Sequence, residues 1–260
     1  MKATLSILFF AAFCSIVAAQ EIKIPQISVT VQLPGPPTKP VDAGPFVTGP
    51  AKPIVVSDSD REKLEELAKA YQKVAADNYS LIVKTLHCEG ARMHDVVHIV
   101  VTYRYGGVAA TSGSGFGDRN DVPTIQVSAR YALAHSKDIG MVVHEMVHVV
   151  QSYPTYNPVW LVEGIADYVR WFFYEPVEKR PHPNLAKATA RDSYQTTAAF
   201  LFWAANKYNM DLVPKLNAAF QANAYKESLF KDLTGKTLDD LNAEWKASGS
   251  HVSDRDGQKG

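Results

Sequence analysis

His144-Glu145-Met146-Val147-His148 sets two imidazoles four residues apart. On a helix that spacing puts both on one face, within reach of a single ion. The glutamate between them can face a water beside that ion, so the pattern reads as a catalytic zinc site of the metallopeptidase kind. Zinc in such a site takes three protein ligands and keeps one position open, and the motif supplies two. Glu163-Gly164-Ile165-Ala166-Asp167 follows a short distance downstream, and Glu163 is the expected third ligand. Asp167 is four residues further along the same helical face, where it can accept the free ring proton of a ligand histidine and fix its tautomer. Gly164 would let this second helix approach a neighbour closely.

Met141-Val142-Val143, Met146-Val147 and Val149-Val150 make the first helix apolar nearly all round. It therefore belongs in an interior, where unpaired charge is costly. A buried hydrogen-bond network could satisfy His144, Glu145 and His148, as could a bound cation, and the second acidic helix favours the cation. With zinc in place, Glu145 is a general base: it takes a proton from the activated water as the oxygen attacks an amide carbonyl, then returns it to the leaving nitrogen. The resulting oxyanion needs a donor besides the metal. Tyr194, in Asp192-Ser193-Tyr194-Gln195, is the preferred phenol, with His182 and Tyr168 behind it, although most of the twelve tyrosines should simply pack.

Helical segments are expected at roughly 137–151, 159–173, 196–206, 212–223, 225–233 and 237–245, with Asp138 capping the metal-bearing helix and Pro154 and Pro158 breaking the chain between the two key helices. Upstream, Ile54-Val55-Val56 suggests a short strand. Ser57, Asp58 and Ser59 then cap a helix over 60–76, whose buried stripe is Leu64, Leu67, Ala68, Tyr71 and Val74. Val96 to Tyr103 reads as a strand. Gly106-Gly107, Gly113, Gly115 and Gly117 read as a flexible connection without the lysine and following hydroxyl of a phosphate loop. Val122 to Ser128 is another strand, which Pro123 places at an edge or a strand start; an edge beside the metal helix could hold an extended peptide by strand addition. The expected class is α+β: a zincin-like metallopeptidase with a small mixed sheet, an edge strand beside the HExxH helix and a mostly helical C-terminal part.

The 260 residues carry 27 basic and 27 acidic side chains and 46% apolar residues, which suits a soluble globular protein. Without net positive charge or a dense basic block, no nucleic-acid partner is expected. Residues 1–19 have the basic start, apolar centre and small residues before Gln20 of a secretory signal peptide. The expected product is secreted or periplasmic, free of the membrane after cleavage and monomeric, with a peptide or protein as its partner. Residues 20–52 are proline-rich and read as an extended lead-in, linker or propeptide with one peripheral strand over 27–33; the domain spans 53–248 and a disordered tail 249–260. Only Cys88 remains after cleavage, so no internal disulfide forms, and it reads as a buried small hydrophobe.

The chain resembles the basic secretory protein family, peptidases of plants and bacteria placed in the broad gluzincin-like group. The matching stretches are Ile125 to Tyr131, His144 to Gln151, Trp160 to Tyr168, Tyr194 with Ala198 to Leu201, and Leu233 to Leu241. The resemblance implies zinc binding by His144, His148 and Glu163, a base role for Glu145, an orienting role for Asp167 and, less directly, a role for Tyr194. It covers roughly 53–247. The family name implies a basic protein whereas this chain is neutral, so ideas that depend on charge do not transfer.

An endopeptidase is favoured over an aminopeptidase because no motif for catching a substrate amino terminus is present. A non-catalytic extracellular binding protein with a structural metal is the alternative from another class. Tyr131, Trp160, Tyr168 and Phe172 could shape an apolar specificity pocket, although aromatic residues at such spacings more often pack in the core.

Overall fold

A computed structural model of the chain describes residues 22–34, 55–88, 94–113 and 122–249. The expected signal peptide, most of the proline-rich stretch, Ile54, Gly115, Gly117 and the tail beyond 249 lie outside the described residues.

Strand β1 (Gln26–Gln32) pairs in parallel with β2 (Val96–Thr102), and helix α1 (Asp58–Thr85) supplies the long crossover that a parallel pair needs. The Ser57 hydroxyl accepts from the Asp60 amide at 3.1 Å, and Asp58 and Asp60 sit in the positively polarised first turn. The helix outruns the expected 60–76 because its buried stripe keeps helical spacing through Tyr79, Ile82 and Val83. No strand forms at Val55 and Val56: Val55 is 89% exposed and the chain passes straight into the Ser57 cap.

The sheet order is β1-β2-β4-β3. β4 (Thr124–Ser128) runs parallel to β2 on one side and pairs antiparallel with β3 (Ala109–Ser112) on the other. Of the two places that Pro123 allowed, the strand start holds, since β4 begins at the next residue, and the edge does not. β4 lies between β2 and β3 with Ile125 and Val127 fully buried, and the edge beside α3 is β3, in the glycine-bearing segment read as a connection. β1 is the peripheral strand expected over 27–33: it takes the other edge of the sheet, and its Ile27 joins one buried cluster that extends to Trp245.

After β4 the chain is helical: α2 (Ala129–Ala134), α3 (Met141–Gln151), α4 (Val159–Val169) running into a wider turn at Arg170–Tyr174, α5 (Tyr194–Tyr208), α6 (Leu212–Gln221), α7 (Leu229–Thr234) and α8 (Leu238–Ala247). All eleven residues of α3 are buried, as its sequence required, and it packs against α1, β3, α4 and α6. Asp138 does not cap it. The helix begins later, behind Gly140, while Asp138 accepts from the Tyr131 hydroxyl at 2.7 Å and pairs with Arg170. Among the described residues no helix is long and apolar enough to cross a membrane.

Candidate metal centre

Three features bring α3 and α4 together. Ser152 ends α3 in the left-handed conformation (φ 43°, ψ 40°), its amide bonded to the His148 carbonyl, and the chain reverses before Pro158 opens α4. Gln151, fully buried at the end of α3, donates from Nε2 to the Val162 carbonyl of α4 at 3.1 Å. Gly164 then lets α4 press onto α5: a Cβ there would lie 2.7 Å from the Thr197 Cβ and closer still to its Cγ2.

The outcome is a triangle of donor atoms. His144 Nε2 is 3.0 Å from Glu163 Oε2 and 3.1 Å from His148 Nε2, and His148 Nε2 is 3.4 Å from Glu163 Oε2. Both imidazoles have their other nitrogen committed. His144 Nδ1 donates to Asp167 Oδ1 at 2.6 Å, since a carboxylate oxygen can only accept. His148 Nδ1 donates to Gln151 Oε1 at 2.7 Å, because the amide nitrogen of Gln151 is spent on Val162. In the neutral rings, therefore, two bare nitrogen lone pairs and a carboxylate oxygen face one another in a buried space, an arrangement that calls for a cation.

A divalent metal fits that demand. Zinc with nitrogen and oxygen ligands at its usual bond lengths spaces neighbouring donors about 3.3 Å apart, close to the triangle seen here. His144, His148 and Glu163 could hold such an ion. With no ion between the donors, a proton takes the cation's place. Burial alone would push the His144 imidazole down in pKa, but the hydrogen bonds to Asp167 and Glu163 outweigh it and hold the group up at about 10. Burial would raise Glu163, yet its bonds to His144 and His148 win and bring it down to about 2. Both shifts report a pocket that favours positive charge against a carboxylate.

The triangle opens into a cleft of about 1500 Å³, bordered on one side by β3 and on another by the start of α5. Glu145 lies in it without joining the three donors, and the Thr111 hydroxyl of β3 reaches its Oε2 at 2.7 Å. The Tyr194 ring stacks over that of His144, 6.1 Å between centroids, and is 54% exposed. Its backbone is unusual: Ser193 has φ 65° and ψ 176°, a region nearly reserved for glycine, and Tyr194 itself has φ 45°. Partial burial first, then the carboxylates of Glu163, Asp167 and Glu145, raises the Tyr194 pKa, so its hydroxyl stays protonated and able to donate.

The family described as BSP, peptidase of plants and bacteria, matches residues 61–245. The chain belongs to this family. No curated protein and no solved structure matches it. Among the residues that the family resemblance singled out, His144, His148, Glu163 and Asp167 converge, with Glu145 and Tyr194 lining the same cleft.

Other expectations need correction in this member of the family. Tyr168 is buried among Phe172, Phe173 and Phe202, and His182 borders a separate hollow with Pro181 and Trp245, so neither backs up Tyr194. Of the four aromatics weighed for a specificity pocket, only Tyr131 lines the cleft, and the other three belong to the core as such spacings more often do. Trp160 stacks near Phe230, and Phe172 stacks on Phe202. Tyr105, Tyr156 and Trp171 stand along the cleft instead, with Tyr156 edge-on to the His148 ring at 5.8 Å. Sequence reasoning also missed Thr111 and Gln151. Gln151 carried a signal: a glutamine three residues after a ligand histidine, on an otherwise apolar helix, is placed to receive its ring proton.

Proposed function

We propose that the chain is a secreted zinc-dependent peptidase of zincin-like architecture, acting as a monomer on internal bonds of peptides or proteins. The observation that carries this reading is the meeting of three metal-ligating atoms, two imidazole nitrogens and a carboxylate oxygen from α3 and α4, beside the Glu145 carboxylate in an open cleft. Family membership supports peptide hydrolysis, and the composition of residues 1–19 supports export. The lining of the cleft, from β3 across the donor triangle to the start of α5, supports an extended substrate running past the site, and β3 offers it an edge to pair with.

A zinc ion held by His144, His148 and Glu163 would supply Lewis acidity, lowering the pKa of a water and polarising the scissile carbonyl. Asp167 and Gln151 hold the two imidazoles in the tautomer that presents Nε2. Glu145 accepts the proton of the attacking water and passes it to the departing amide nitrogen. Tyr194 donates from its hydroxyl to the carbonyl oxygen as negative charge grows there. Metal analysis joined to cleavage of a varied peptide library tests the reading, with Glu145→Gln beside the wild type. One zinc per chain is expected in both proteins and hydrolysis in the wild type alone. Equal cleavage that survives a chelator would overturn it.

A further inference from the structure

We propose that Thr111 is a positioning residue for Glu145, an inference that rests on the peptidase reading above. The hydroxyl lies 2.7 Å from Glu145 Oε2 and 3.0 Å from the Glu145 main-chain oxygen. It has one proton and two acceptors in reach. The bond to an ionised carboxylate is the stronger of the two, and here it is also the shorter. Glu145 is thus held at both ends, by its own helix and by the edge strand across from it, with its second carboxylate oxygen left for water.

The tether has a specific consequence. Glutamate has a flexible side chain, and Glu145 is buried next to a cluster that attracts an anion to a cation. If it swung onto the ion it would fill the position that water and substrate must use. It contributes no oxygen to the His144, His148 and Glu163 cluster, and among the described residues Thr111 is the side chain bonded to it. Thr111 therefore keeps the base beside the metal site and out of the ligand set. The residue is set by the backbone of β3, where it stands opposite Ile125 of β4.

Thr111→Val keeps the branched shape that suits a strand and loses only the hydroxyl, while Thr111→Ser keeps the hydroxyl. Both full-length variants and the wild type are assayed for kcat and KM on a fluorogenic peptide taken from the library cleavage. Metal content is measured by atomic emission, and the Glu145 rotamer is read from crystal structures of the zinc-loaded proteins. Thr111→Val should lose about 10- to 100-fold in kcat, the range typical for groups that orient a metal site, with KM and metal content close to wild type. Its Glu145 carboxylate should be displaced toward the ion, and Thr111→Ser should restore both rate and rotamer. An unchanged kcat with Glu145 in place would overturn the proposal, as would metal loss and a lower melting temperature that account for the whole defect. If the wild type cleaves nothing, the peptidase reading fails on its own, and the paired crystal structures still decide whether the hydroxyl fixes Glu145.

Discussion

Gly164 of α4 faces Thr197 of α5 with no space for a methyl group between them. Thr197 cannot easily yield: it is fully buried and its hydroxyl donates to the Ala190 carbonyl at 2.8 Å. Because Glu163 precedes Gly164, anything that pushes the helices apart also moves a member of the donor triangle. Gly164→Ala should cost about 1–3 kcal/mol, the range for overpacking a filled core, and should weaken metal retention as well. Thermal unfolding and metal content read the two effects. Adding Thr197→Ser, which removes the offending methyl and keeps the hydroxyl, should recover part of each.

Asp167 and Gln151 do the same job for different histidines, so their removal should be felt in metal affinity before stability. Asp167→Ala frees His144 Nδ1, and Gln151→Ala frees His148 Nδ1. Each should lower affinity by about 10- to 100-fold, measured by competition with a chromophoric chelator. Gln151→Ala should also lower the melting temperature, since it cuts the bond to Val162 that ties α3 to α4. Among the described residues Asp167 has no such second bond to lose.

The parts of the site that lie within one helix were legible in the sequence, and the parts that depend on pairing were not. His144 with His148 and Glu163 with Asp167 are four apart, and the apolar flanks of α3 announced its burial. β3 was hidden because Ala109-Ala110-Thr111-Ser112 is short, lacks bulky β-formers and borders glycine; its strand state comes from the ladder with β4. Thr111 was hidden with it. Asp138 was misread for a similar reason: local sequence offers it as a cap, but Tyr131 and Arg170, distant in the chain or on another element, claim its carboxylate.

Glu244 on α8 should make the C-terminal helices acid-sensitive. Its carboxyl is brought down from 4.5 to about 2, first by the Tyr208 hydroxyl and then by Lys207, with Lys236 adding to the effect. A carboxyl whose pKa is depressed on folding stabilises the fold fully above its unfolded value and loses that contribution as pH falls through the folded one. The contact between α5 and α8 should therefore loosen between pH 4.5 and about 2. Glu244→Gln should lower the melting temperature at neutral pH and flatten its fall over this acid range. A parallel decline in both proteins would show that other carboxylates govern acid unfolding.

Ser193 and Tyr194 store strain at the mouth of the cleft. The first sits at φ 65° and ψ 176°, the second at φ 45°, and non-glycine residues held in such regions cost about 1–3 kcal/mol each. The strain is sustained because α5 is packed firmly behind it, with Ala198, Ala199, Phe200 and Leu201 all buried, and it sets Tyr194 over His144. Ser193→Gly removes the penalty at the first position while adding freedom to the unfolded chain, so the net gain in stability should be modest, about 0.5–1 kcal/mol. The same relief lets the Tyr194 ring wander, so kcat should fall while KM and metal content hold. Melting temperature and turnover moving in opposite directions would mark the strain as part of the site's construction. Movement in the same direction would mean that Ser193 serves the fold alone.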